Sequence, residues 1–179
     1  MKSINRVAIG TALLVLAAAG QAQAGTIQIV GRVVEDTCVI ASMTDGQLGG
    51  EDVRLSLADI QPQALATRGD RSSAVPFELV VGSTDRPCRQ DRVRARLITH
   101  DDVTATGRLR NRGSAQNVEI GLSDGQGREL DLRDDHLEQV VALGQEGIGR
   151  LRWQARYHAV GQAHPGSVST GLMYLIDYP

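Results

Sequence analysis

The chain has 179 residues, with 19 basic and 21 acidic side chains and a formal net charge of −2 at pH 7. The first 24 residues have the make-up of an export leader, and removing them leaves 155, which suits one domain rather than two. That leader holds Lys2 and Arg6 and no acid, so the mature chain has 17 basic against 21 acidic groups, a charge of −4 that argues against generic nucleic-acid binding; aromatics at 3% argue against a base-stacking platform.

Residues 7–19 form an apolar run of h-region length behind the basic start, and Ala22-Gln23-Ala24 supplies the small residues a signal peptidase requires, placing cleavage before Gly25. The run falls short of the ~20 residues a bilayer-spanning helix needs, so it reads as a leader of the bacterial kind and not as an anchor. Cys38 and Cys88 are the only cysteines, and both lie in the exported part. An oxidising compartment makes one disulfide the expected outcome, and closing that loop is worth about 4 kcal/mol on the chain-entropy model.

From here the dominant period is two. Ile27, Ile29, Gly31 and Val33 alternate with Gln28, Val30, Arg32 and Val34, and Val53, Leu55 and Leu57 alternate with Arg54 and Ser56, so both stretches read as strands. A single helical turn is expected over residues 56–60. Residues 75–81 are rich in β-branched side chains around Phe77 and Leu79. In residues 92–99, Val93, Ala95 and Leu97 face one way and Arg92, Arg94 and Arg96 the other, a half-buried strand with a solvated arginine face. Val118, Ile120 and Leu122 lead through Ser123-Asp124-Gly125-Gln126-Gly127 to Leu130 and Leu132, which reads as a hairpin with a long loop. Residues 134–143 hold a few helix formers without a 3.6-residue stripe. Residues 151–160 and 168–178 are two further strands, separated by Gly161-Gln162-Ala163-His164-Pro165-Gly166, whose Pro and Gly enforce a reversal. Many short strands broken by Gly, Asn and Asp argue for an all-β antiparallel sandwich.

At these residues the chain resembles the type 1 fimbrial subunits, the chaperone–usher pilins of Gram-negative bacteria. The resemblance rests on residues 25–34, Gly-Thr-Ile-Gln-Ile-Val-Gly-Arg-Val-Val, followed closely by Cys38. It continues in Gly113-Ser114-Ala115-Gln116-Asn117-Val118, in Ile120-Gly121-Leu122-Ser123-Asp124, in Trp153-Gln154-Ala155-Arg156-Tyr157 with Pro165-Gly166 after it, and in Tyr174, Ile176 and the penultimate Tyr178. Two features depart from the pattern. Residues 82–87 lengthen the loop before the second cysteine, and the short extension is nearer to minor adaptor subunits than to some major ones.

The resemblance implies an incomplete immunoglobulin-like sandwich that lacks its last strand, with the deficit filled from outside by β-strand addition, a mode for which chaperone–pilin complexes are a standing example. It divides the chain into a cleaved leader (1–24), a donor-strand extension (25–35) and one pilin domain (36–179). Ile27, Ile29 and Val33 fall on one face of the extension, and burying the three in a neighbour's groove would contribute about 5–9 kcal/mol. Gly31 on that face allows close approach and, in the family, sets register. The acceptor groove is expected beside the C-terminal strand, at Leu172, Tyr174, Ile176 and Tyr178, with the terminal carboxylate of Pro179 captured by the chaperone. The implied partners are neighbouring pilin subunits, a periplasmic pilus chaperone and the outer-membrane usher, with no cofactor and no nucleic acid, and the implied course is export through the periplasm to an extracellular fimbrium. The alternative is a minor adaptor or adhesive tip subunit with a host protein or glycan as receptor.

Other features read more simply as surface. Arg68-Gly69-Asp70 matches an integrin-read tripeptide, but three residues in a polar loop match by chance easily. Arg86, Arg89, Arg92, Arg94 and Arg96 are interleaved with Asp85 and Asp91, as on a solvated face. His100, His136, His158 and His164 are dispersed, and Asp101-Asp102 and Asp134-Asp135 sit in turn-like settings, so no acid–base pair or nucleophile motif emerges and no enzyme is expected.

Overall fold

The computed structural model describes residues 38–99, 102–134 and 137–179, all of one unit, Glu35–Pro179. Among the described residues the period-two pattern becomes nine strands: β1 (Ile40–Thr44), β2 (Gln47–Leu48), β3 (Val75–Val81), β4 (Arg92–Ile98), β5 (Leu109–Arg110), β6 (Gln116–Asp124), β7 (Glu138–Ala142), β8 (Gly149–His164) and β9 (Met173–Asp177), with a 3-10 turn at Pro62–Leu65. They form a six-stranded sheet in the order β2-β1-β3-β8-β6-β5 and a three-stranded sheet in the order β7-β4-β9, every pairing antiparallel.

Local chemistry accounts for the joints. Thr44 pairs with Gln47 across Asp45-Gly46, both at positive φ (49° and 76°), the conformation that a two-residue hairpin demands and that Asp-Gly adopts readily. Pro76 has no N–H, and it lies one position beyond the last β1 pairing, Thr44 with Phe77, where only β8 remains beside it. β8 is the long central strand: its first half pairs with β3 and its second with β6. The register against β6 shifts between Gln116 and Val118. Asn117 takes φ 61° at that bulge, and its Nδ2 donates to the Gln162 carbonyl at 2.8 Å, supplying a partner where the ladder breaks.

The core lies between the sheets. Val93, Ala95 and Leu97 of β4 face Leu79 and Val81 of β3, Leu151, Trp153 and Ala155 of β8, and Ile120 and Leu122 of β6, in one apolar cluster completed by Cys88, Leu109 and Leu132. Phe77 and Trp153, paired in register, stack with centroids 5.8 Å apart. A second, smaller cluster of Leu65, Val118, Ala159 and Ala163 lies under the 3-10 turn. The Cys38–Cys88 disulfide is formed and ties the start of the domain to the loop before β4.

Several sequence expectations shift in detail. Residues 53–60 are extended with no helical turn; the turn comes at Pro62–Leu65, where Pro sits at the start of a helical turn without losing a needed donor. Residues 134–143 contain β7 instead of helix. The stretch after β6 folds back through Asp124 and Gly127, and Leu130 N–H donates to the Leu122 carbonyl, but the ladder partners of β6 are β8 and β5. β8 runs on to His164, so the reversal falls at Pro165-Gly166 alone.

Candidate functional site: an open groove between the sheets

Among the described residues the sandwich does not close along one side. A groove of about 870 Å³ runs between two rims, residues 53–61 and residues 165–174, with a floor that includes Leu79, Leu97, Leu109, Ile120, Leu122, Trp153, Ala155 and Tyr157. Its walls are mostly aliphatic, and a site of this size and character is built to hold apolar side chains.

Both rims have strand-like patterning. Val53, Leu55 and Leu57 are half-buried while Arg54, Ser56 and Ala58 are exposed, yet residues 53–60 have no ladder partner among the described residues. The opposite rim ends in β9, which pairs with β4 along one edge and, among the described residues, with nothing along the other. Each rim is nonetheless held in place. Arg112 N–H donates to the Ser169 carbonyl at 2.8 Å, and the Asn111 side chain accepts from the Ser169 N–H at 3.0 Å. On the other side Leu65 anchors the turn that follows residue 60. The Tyr174 hydroxyl donates to the Glu51 carbonyl at 2.5 Å and so links the rims at one end. Burial, then the nearby Glu51 and Asp52 charges, push the Tyr174 phenol up, which keeps it protonated and able to donate.

β9 is pinned to β4 by charge. Asp177 accepts from Arg94 Nε at 2.7 Å and Nη2 at 3.0 Å, and from Arg96 Nη2 at 2.8 Å. The Arg94 hydrogen bond is the main reason that the Asp177 carboxyl lies below the ordinary value. The expected arginine face is therefore partly committed: Arg94 and Arg96 fasten the groove's own rim.

Of the residues expected at the acceptor groove, Leu172 and Tyr174 line it. Ile176 and Tyr178 pack against the main apolar cluster at its edge, and Pro179 is exposed. Val53, Leu55, Leu57 and Ile60 complete the opposite wall, and sequence reasoning did not assign them there, although their alternation was the available signal. The extension residues Ile27, Ile29, Gly31 and Val33 lie outside the described residues, as do the leader, His100, Asp101, Asp135 and His136.

The Arg68-Gly69-Asp70 tripeptide is stitched to β8. Gly69 N–H donates to the Ala159 carbonyl, and Ala159 N–H to the Asp70 carbonyl, each at 2.9 Å. The Asp70 carboxylate turns back to accept from Thr67 N–H at 2.8 Å and its hydroxyl at 2.9 Å, bonds that hold its pKa below the usual value. An acid spent in its own turn is a poor external ligand.

No family model matches the chain. It is 29% identical over 167 residues to the type-1 fimbrial protein A chain of Escherichia coli K12, covering 91% of this chain and 88% of the relative. It is also 29% identical over 170 residues to the major fimbrial subunit SMF-1 of Stenotrophomonas maltophilia, covering 89% and 95%. Among solved structures it is similar in fold to the P pilus rod subunit PapA, with a TM-score of 0.55 at 13% identity over 86% of this chain and all of that one. A chaperone–usher pilus solved for the basis of rod uncoiling gives 0.57 at 14% identity over 91% and 100%. With similarity along most of its length and an incomplete immunoglobulin-like sandwich that matches theirs, the chain is a homologue of the type 1 fimbrial subunits and has the chaperone–usher pilin fold.

Proposed function

We propose that this protein is a structural subunit of a chaperone–usher fimbria, that it assembles with other pilin subunits into an extracellular fibre, and that residues 25–35 of one copy fill the groove of the next. The observation that carries the reading is the groove itself: an apolar trough with strand-patterned rims, of which residues 53–60 have no ladder partner and β9 has an unpaired outer edge among the described residues. A strand laid between them satisfies both rows of backbone groups and covers the trough with side chains, whereas an unfilled edge of this kind invites aggregation. The pattern Ile27, Ile29, Gly31, Val33 supplies such a strand. In the periplasm a chaperone holds the groove before the usher passes the subunit on, with Pro179 at the end of the strand the chaperone grips.

Mixing the chaperone-bound subunit with a peptide of residues 25–34 tests this. The peptide displaces the chaperone and raises the melting temperature, and a peptide carrying Gly31→Leu fails to do so. Absence of displacement by the unmodified peptide counts against the assignment.

A further inference from the structure

The groove leaves two apolar side chains of its own rim unexplained. Among the described residues four large apolar side chains are exposed, and two of them, Met173 at 55% and Leu175 at 48%, stand together on the outer face of β9. The others, Leu48 on β2 and Val140 on β7, lie on separate strands. A lone exposed leucine is ordinary, but an apolar pair beside an unpaired strand edge marks a surface that something else covers. The β4 side does not cover it. Arg96, the register partner of Leu175, is committed to the Asp177 carboxylate at 2.8 Å.

The alternation of the extension identifies the cover. With Ile27, Ile29, Gly31 and Val33 turned into the groove, Gln28, Val30, Arg32 and Val34 turn outward. Side chains directly opposite one another in a strand pair share a face, so the odd-numbered residues fall against Tyr174 and Ile176, the inward residues of β9. The even-numbered ones then fall against Met173, Leu175 and Asp177. Residues 27–33 can span the whole of β9 under that condition in only one register for each strand direction. Antiparallel, it sets Arg32 opposite Met173 and Gln28 opposite Asp177; parallel, it exchanges those two. Both directions set Val30 opposite Leu175, and both carry Val34 past the end of β9.

We infer that the extension is read on its outer face as well as in the groove: Val30 of one copy packs on Leu175 of the next, with Met173 as its diagonal neighbour. This contact rests on the strand-filling reading above and adds to it a recognition element outside the groove. A donor with a polar residue at that position leaves Leu175 exposed to water and binds less well.

The test is equilibrium displacement of the chaperone from the chaperone-bound subunit by peptides of residues 25–34, unmodified or carrying Val30→Thr or Val34→Thr. Threonine keeps the β-branched shape and strand preference of valine while making the outward surface polar. Val30→Thr is expected to weaken the peptide about threefold, within the range of a single cross-strand pair, and Val34→Thr to leave it unchanged. On a Leu175→Thr subunit the difference between the unmodified and Val30→Thr peptides disappears. Comparing the peptides on each subunit separately cancels any change in chaperone affinity. Equal affinity of the unmodified and Val30→Thr peptides would overturn the contact and is the result expected if Met173 and Leu175 instead meet the flank of another copy in the fibre. An undiminished loss on the Leu175→Thr subunit, or equal losses from Val30→Thr and Val34→Thr, would also overturn it. In each of these cases the strand-filling reading stands, whereas failure of the unmodified peptide to displace the chaperone overturns both.

Discussion

Two leucines separate an open wall from a closed core. Leu97 is 8% exposed and lines the groove, whereas Leu132 is fully buried in the same apolar cluster and does not border the groove. In closed cores a Leu→Ala truncation costs about 2–5 kcal/mol, the spread following the volume of the void left behind. At Leu132 the void is sealed whether or not the groove is filled, so Leu132→Ala lowers stability by roughly 3 kcal/mol in both states and leaves donor affinity unchanged. At Leu97 the void merges with the empty groove and becomes a sealed cavity only when a donor strand lies over it. The cavity contribution, about 2 kcal/mol of that range, therefore enters only in the filled state, and Leu97→Ala weakens binding of a peptide of residues 25–34 by roughly 30-fold. The assay is peptide anisotropy on each variant, with urea denaturation at zero and saturating peptide. Equal peptide affinity for Leu97→Ala and Leu132→Ala would refute the reasoning.

Four other outcomes are expected. Reducing Cys38–Cys88, which spans 50 positions, removes about 4 kcal/mol of stability, read as a drop in the melting temperature on adding dithiothreitol. Gly82→Ala destabilises by at least ~3 kcal/mol in a denaturant melt, because Gly82 takes φ +80° and an added Cβ meets the Gly147 carbonyl oxygen, a backbone atom that cannot swing aside. Burial first, then Arg108, depress the His158 pKa in the folded state, so the unfolded chain binds the proton more readily: the contribution is fully present above the unfolded value of about 6.5 and is lost as pH falls below it. His158→Gln should flatten the stability profile in that window. Asp177 acts in the same direction at lower pH, through Arg94, and Asp177→Asn removes a loss that begins below about pH 4.

Much of the fold was legible because β-strands that face a core announce it in alternation. Residues 75–81 became β3 with unchanged limits, and Val93, Ala95 and Leu97 faced inward as the pattern requires. Less legible were features set by distant partners. Leu55 and Leu57 alternate like any strand, and nothing local distinguishes a strand with a neighbour from one that lacks it. Tyr174 reads as a core aromatic until its hydroxyl is seen to reach the Glu51 carbonyl. The arginines of β4 read as solvated because the acid that takes two of them, Asp177, lies more than 80 positions away. Asp45-Gly46 is different: the dipeptide is a local hairpin signal, and the strands it joins are too short for a period-two pattern to frame it.

Amide hydrogen exchange at the two rims asks most directly whether the domain borrows its missing strand. Residues 53–60 and the free edge of β9 should exchange quickly in the isolated mature chain and slowly in assembled fibres, while β3 and β8 are protected in both. Rims as slow in the isolated chain as in the fibre would contradict the account.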